Sequence, residues 1–174
     1  TEIYTLSLHD ALPISISVNL SRSSLCYEGI VEQYINIVND VGISPELVPI
    51  EITESTTADN SAIKDITEKF RQNGFVLCMD DFGTGYSSLA MLNLLRFDNL
   101  KLDKTLIDGI EEDSGHKLIK HIIALSKDLG MNITAEGVEY EAQNELLKDL
   151  NCDSIQGFFY KPPLQKKDFE KLLQ

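Results

Sequence analysis

Phe75-Val76-Leu77-Cys78-Met79-Asp80-Asp81-Phe82-Gly83-Thr84-Gly85-Tyr86-Ser87-Ser88-Leu89 is the stretch whose reading decides the fold. An apolar run, Phe75 to Met79, drives straight into two adjacent carboxylates. Its Val and Phe favour a strand, and the unbroken apolar character predicts one buried on both faces. Gly83 and Gly85 then punctuate a turn. Ser87 or Ser88 is placed to cap a helix carrying Leu89 and Leu92 to about Leu95. Two like charges at a buried strand end repel unless something positive lies between them. Taken alone, an Asp-Asp pair at such a turn is more often one helix-capping acid and one exposed acid. The rest of the chain shifts that balance.

The same strand-then-helix unit recurs on both sides. Ser15-Ile-Ser-Val-Asn-Leu20 alternates with period 2 and reads as a strand. Ile30, Tyr34, Ile37, Val38 and Val41 lie on one helix face, stopped by Gly42. Leu47 to Thr53 is a second strand, and Ala62, Ile63, Ile66 and Phe70 mark a helix ending at Asn73-Gly74. After the opening strand come Asn99 to Asp103, then a helix stripe from Leu118 to Leu129 closed by Gly130. Asn132 to Val138, a helix through Ala142, Leu146, Leu147 and Leu150, Ser154 to Tyr160, and a short helix over Asp168 to Leu173 complete the series. Strands alternating with helices predict a parallel α/β sheet. No GxGxxG follows the first strand, so a dinucleotide-binding Rossmann fold has no support.

Each strand ends in a polar residue suited to metal or phosphate chemistry: Asn19, Glu51, Asp80 with Asp81, Lys101 with Asp103, Glu136 and Gln156. Successive members lie roughly 20 to 35 residues apart, about one βα unit each. In a barrel the C-terminal strand ends converge on one mouth, whereas an open sheet would spread them along a line. Convergence therefore favours a TIM-type (β/α)8 barrel, of which this chain supplies about six units. Any one of these residues alone reads as readily as a turn former, a solvated charge or a backbone partner. Together they form an oxygen-rich set that suits Mg²⁺ or Mn²⁺ better than zinc. Lys101 among them balances repulsion and steadies developing negative charge. Acids with one lysine make a workable two-metal phosphoryl-transfer site.

Composition bounds the partners. The 174 residues carry a formal net charge of −13, which argues against DNA, RNA or anionic membrane as binding surfaces. A small anionic ligand remains compatible if metal cations mediate the contact. The three cysteines, Cys26, Cys78 and Cys152, are scattered in apolar settings and read as reduced thiols of a cytoplasmic protein. No apolar run reaches the roughly 18 residues of a membrane span.

From Ile14 to Leu164 the chain resembles the EAL-domain family of bacterial cyclic di-GMP phosphodiesterases. The matching motifs are Val18-Asn-Leu-Ser21, Ile50-Glu-Ile-Thr-Glu-Ser55, Asp80-Asp-Phe-Gly-Thr-Gly-Tyr-Ser-Ser-Leu89, Lys101-Leu-Asp103, Ala135-Glu-Gly-Val-Glu139 and Gln156-Gly157. The resemblance implies a (β/α)8-type barrel with one antiparallel strand, two Mg²⁺ or Mn²⁺ ions, and hydrolysis of cyclic di-GMP to 5′-pGpG. It implies that Asn19, Glu51 and Asp80 ligate one metal, and that Asp80 bridges to a second shared with Asp81 and Glu136. Lys101 would position or activate the attacking water, with Asp103 beside it, and Gln156 would contact the water or the metal shell. Glu54 would anchor the loop of Gly83 and Gly85, and Glu139 would stand behind the ligands or on the substrate side. Sensory or cyclase modules and a homodimer are the family's usual company. The alternative is a non-catalytic receptor of the same fold that binds cyclic di-GMP or a protein partner.

The chain departs from the family in one respect. The Glu-Ala-Leu tripeptide, which in the family stands upstream of the Asn-x-Ser motif and supplies a metal ligand, is absent here. The first two barrel strands are therefore expected to lie outside these residues, leaving residues 15–174 as the C-terminal three-quarters of the domain. Residues 1–14 read as irregular or non-native, similar to translated sequencing-adapter sequence. An incomplete barrel with two free edges is expected to be aggregation-prone or inactive by itself.

Overall fold

The computed structural model describes residues 14–25, 27–53, 56, 61–85 and 89–172. The expectations for residues 1–13, Cys26, Glu54 and Ser87 or Ser88 lie outside the described residues. Six parallel strands stand in sequential order: β1 (Val18–Asn19), β2 (Ile50–Thr53), β3 (Leu77–Phe82), β4 (Asn99–Leu102), β5 (Asn132–Ala135) and β6 (Ser154–Ile155). Between and after them lie α1 (Arg22–Leu25), α2 (Ile30–Val41), α3 (Ser61–Gln72), α4 (Leu89–Leu95), α5 (Lys104–Ile107), α6 (Asp113–Asp128), α7 (Glu141–Asp149) and α8 (Lys166–Glu170). Among the described residues β1 and β6 do not pair with each other, so the sheet is an incomplete α/β barrel.

Period-2 alternation divides the sheet into two unlike faces. Ile50, Ile52, Leu77, Met79, Leu100, Leu102, Ile133 and Ala135 point toward the helices and are buried to 1% exposure or less. There they meet Ile63, Phe70, Ile107 and Ile119 in one core. Edge-to-face rings join Tyr34 to Phe70 and Phe70 to Phe75, with centroids 5.5 and 5.3 Å apart. The opposite, concave face carries Ser17, Glu51, Cys78, Asn99, Lys101, Thr134, Ser154 and Gln156 around a trough of about 550 Å³. A side chain two residues further along a strand stays on that face, which brings Asn19, Asp80 and Glu136 to one mouth.

Several strands differ in extent from the sequence expectation. β1 and β2 begin late, at Val18 and Ile50; the stretch before β2 is a 3₁₀ turn over Pro45–Leu47, started by its proline. β3 runs through both aspartates to Phe82, so the acids lie within the strand and the turn follows them. β5 stops at Ala135, ahead of Gly137 with φ 70°. β6 holds only Ser154 and Ile155, because Gly157 to Tyr160 turn back through Tyr160 N–H to Gly157 O at 3.1 Å. The last helix begins earlier than expected, at Lys166, and ends at Glu170, while Leu173 of the expectation lies outside the described residues. Two four-residue helices, α1 and α5, are too short for a periodic signal.

Carboxylates repeat one structural task. Asp98, just before β4, accepts from Leu77 N–H at 2.8 Å, and Asp153, just before β6, accepts from Ile133 N–H at 2.9 Å. Each satisfies a donor at the N-terminal rim, where the ladder has not yet begun. At the other rim Gly157 packs so closely on the Val138 backbone that a Cβ there would collide with its oxygen and nitrogen. Gly157→Ala is therefore expected to destabilise the chain by about 3 kcal/mol, more than Asp98→Ala at about 1–2 kcal/mol. Urea unfolding of the two variants checks that order.

Candidate active site

The mouth is organised by the ammonium of Lys101. Its Nζ lies 2.7 Å from Glu51 Oε1, 2.9 Å from Asp80 Oδ1 and 2.8 Å from Glu136 Oε1. β2, β3 and the segment after β5 thus send one carboxylate each to a single point, and β4 sends the cation. The lysine side chain is only 13% exposed. Burial works against its charge, but its pairs with Glu136, Glu51 and Asp80 outweigh that and hold it above the usual lysine range. Burial raises the Glu136 carboxyl, and the nearby charges of Asp80 and Glu51 add to the rise while Lys101 opposes it.

The aspartate pair owes its placement to a fault in the ladder. Met79 pairs with Leu100, but Phe82 pairs with Leu102. Two residues of β3, Asp80 and Asp81, therefore stand against Lys101 alone, the arrangement of a β-bulge. Asp81 takes φ 57°, a left-handed conformation that Asp tolerates better than most residues. The turn is closed by Thr84, whose N–H and Oγ1 both donate to Asp81 O, at 3.2 and 2.9 Å. Gly83 has φ 105°, and a Cβ there would sit 2.6 Å from Leu106 Cδ1. Gly85 is exposed in the same turn. Burial and the neighbouring Asp80 charge push the Asp81 carboxyl above its ordinary value.

The remaining candidates surround this centre. Asn19 is in register with Glu51 at the end of β1. Asp103 turns to its own helix, accepting from Thr105 N–H at 2.9 Å and Thr105 Oγ1 at 2.6 Å. Burial would raise its carboxyl, but those donors and the Lys104 N–H hold it low. Glu139 lies 3.4 Å from Lys104 Nζ, which also pairs with Asp108 at 2.6 Å. Gln156 lines both the trough and a second cavity of about 620 Å³, bounded by Asp103, Lys104, Glu136, Phe158 and Leu164.

The donor set fits divalent ions. Every candidate ligand is a hard oxygen donor, the type that Mg²⁺ and Mn²⁺ take. One ammonium faces three carboxylates, which leaves an excess of negative charge at the mouth. Asp80 Oδ1 is buried and, although near the ammonium, has no donor aligned for a hydrogen bond. Among the described residues no three acids, cysteines or histidines stand at metal-ligand spacing; Glu51, Asp80 and Glu136 converge on the Lys101 ammonium.

The EAL domain model matches residues 3–163. The chain belongs to the EAL family. It is 39% identical over 154 residues to the bifunctional diguanylate cyclase/cyclic di-GMP phosphodiesterase MucR of Pseudomonas aeruginosa, covering 86% of this chain and 22% of MucR. It is 36% identical over 154 residues to the probable cyclic di-GMP phosphodiesterase PdeB of Escherichia coli, covering 88% of this chain and 29% of PdeB. The MucR phosphodiesterase, solved in complex with c-di-GMP, superposes with a TM-score of 0.83 at 37% identity, over 89% of this chain and 64% of that one. Klebsiella pneumoniae BlrP1, solved with manganese and c-di-GMP, gives 0.79 at 28% identity, over 83% of this chain and 38% of that one. The chain thus spans under a third of the curated relatives' length.

Within this EAL chain the structure adds residues that the sequence reading passed over. Gln143, 2% exposed on α7, accepts from Glu139 N–H at 2.9 Å and Tyr140 N–H at 3.2 Å. Its neighbour Asn144 accepts from Tyr160 Oη at 2.6 Å. Two amides on one helix thus tie down both segments beside the larger cavity. The signal available was the capping spacing of Gln143 behind Tyr140. Cys78 accepts a 3.4 Å contact from Asn99 Nδ2 beneath Lys101.

Two expectations follow. Asp81→Asn keeps a residue that accepts positive φ and removes a disfavoured charge, so without added metal the variant is expected to melt about 2–4 °C higher, by calorimetry. Burial raises the Cys78 thiol from 9.0 to about 11, with Asn99 opposing in part. A raised thiol contributes stability below its unfolded value that is lost as pH climbs from 9 towards 11. Native Cys78 should accordingly alkylate at least about tenfold more slowly at pH 8 than the urea-unfolded thiol.

Proposed function

We propose that the protein carrying this chain hydrolyses cyclic di-GMP to linear 5′-pGpG with two Mg²⁺ or Mn²⁺ ions. The observation that supports this most is the convergence of Glu51, Asp80 and Glu136 on one point within an EAL chain. Asn19, Glu51 and Asp80 would hold one ion, and Asp80, Asp81 and Glu136 the other. Such ions, when bound, offset phosphodiester charge and lower the pKa of a coordinated water. Lys101 orients the attacking water and steadies negative charge as it develops. Asp103 caps α5 and so sets the start of the helix that carries Lys104. Gln156, on the wall shared by both cavities, contributes an amide that neither gains nor loses a proton.

The excess of acids over cations at the mouth explains how a chain of net charge −13 accepts an anionic substrate, since the ions reverse the local sign. Every metal-site position that these residues cover carries its acid or amide, which favours catalysis over a receptor role, and the Glu-Ala-Leu ligand of the complete protein decides between the two. Cys78 and Cys152 are free thiols, in keeping with a cytoplasmic setting. Sensory or cyclase modules in the same polypeptide, and a homodimer, belong to this proposal.

The test is turnover of cyclic di-GMP by the complete natural protein, followed by chromatography of the linear product. Manganese-dependent formation of 5′-pGpG is expected, with Asp80→Ala lower by at least about 100-fold. Binding without turnover would make the protein a receptor.

A further inference from the structure

We infer that Gln143, a buried amide on α7 outside the mouth, is a positioning residue: it sets the Glu136 carboxylate against Lys101 by holding the segment that carries the acid. The inference rests on the reading of Glu136 as a metal ligand. Glu136 opens the segment, running to Tyr140, that joins β5 to α7. The start of this segment is fixed through Glu136 N–H to Leu102 O at 3.0 Å, and its middle through Val138 N–H to Gln156 O at 3.1 Å. At the far end the anchor is a side chain. Gln143 Oε1 accepts from Glu139 N–H at 2.9 Å and from Tyr140 N–H at 3.2 Å. Gly137, between these anchors, takes φ 70° and lies so close to Lys104 that a Cβ would stand 2.5 Å from that residue's Cβ. A shift at Tyr140 is thus passed along the segment to Glu136 rather than absorbed within it.

Helix capping alone does not account for this residue. A capping glutamine serves the N–H of the residue before its helix, here Tyr140, and does so equally well at the surface. Gln143 is 2% exposed and reaches beyond its helix in two directions. Oε1 takes the Glu139 N–H as well, and Nε2 faces Ile107 O of α5 at 3.5 Å. α5 starts directly after the strand that holds Lys101, with Asp103 as its cap. One amide therefore touches both the segment of Glu136 and the helix beyond Lys101, and those two groups meet at 2.8 Å in the mouth. The amide carries no charge and does not titrate, so it fixes their spacing without changing the electrostatics there. Its removal takes the acceptor from two backbone N–H groups at once.

The test uses the complete natural protein carrying Gln143→Leu, which keeps most of the volume and removes the amide, beside Asp98→Ala, which weakens the opposite rim. Hydrogen exchange of the metal-free proteins, read by mass spectrometry, should quicken at residues 136–140 by at least about tenfold in Gln143→Leu and stay unchanged there in Asp98→Ala. Calorimetric titration with MnCl₂ should show an affinity at least about tenfold weaker in Gln143→Leu, and turnover of cyclic di-GMP a kcat at least about tenfold lower with KM within about twofold. Asp98→Ala, although less stable than the parent, should keep affinity and kcat within about twofold. Unchanged exchange at residues 136–140, parent-like affinity and kcat in Gln143→Leu, or equal losses in both variants overturn the inference and leave the metal centre in place. Absence of Mn²⁺ binding by the unsubstituted protein overturns the metal centre and the inference together. Should Gln143→Leu fail to fold, Gln143→Asn, one methylene shorter and still polar, decides on the same readouts: losses as above sustain the proposal, and parent-like affinity and kcat overturn it.

Discussion

One ammonium inside three carboxylates is the constraint around which the described residues are arranged. Lys101 contacts acids delivered by three different segments, so each pair is also a tie between strands. Partly buried charges of this kind are seldom retained for stability alone, since an apolar cluster of equal volume would serve as well or better. The apolar half of every strand supplies the folding free energy on the helix side, which frees the concave side to hold charge.

Much of this was legible in the chain itself. Alternation along Asn99 to Leu102 and along Asn132 to Ala135 gives both the strand and its faces. A polar residue at each strand end then gives the mouth. Less legible was anything set by backbone geometry or by distant partners. The bulge at Asp80 and Asp81 leaves no mark on periodicity, because the apolar run ends at Met79 and Phe82 falls beyond the acids. The brevity of β6 was hidden as well: Phe158, Phe159 and Tyr160 look like strand residues by composition, yet they are exposed in a turn fixed by the close approach of Gly157 to Val138. Gln143 gave only a capping signal, though its side chain fixes the segment between Glu136 and α7.

Asp103 shows how a motif residue divides between tasks. Its place after Lys101 puts it at the mouth by strand geometry, and the resemblance assigns it a part in the chemistry. In the structure its Oδ1 is taken by two donors from Thr105. That does not remove it from the site, because the helix it caps carries Lys104, which lines the larger cavity and pairs with Glu139. A local hydrogen bond at the strand end thus extends to a cross-segment ion pair between Lys104 and Glu139. Its influence on the site runs through the position of α5.

The concave face carries the argument one step further. Barrel interiors are commonly filled by bulky branched side chains. Here that face bears Ser17, Cys78, Asn99, Asn132, Thr134 and Ser154 below the acids. Small polar groups hydrogen-bond water and one another, and they raise the local dielectric beneath Lys101 relative to a packed aliphatic layer. A polar lining lets an ionised cluster exist without the full penalty of burial in an apolar layer. The same use of small polar in place of large apolar side chains explains why the helix-facing side is so completely buried: with the inner face given over to charged and polar groups, the outer face is the core.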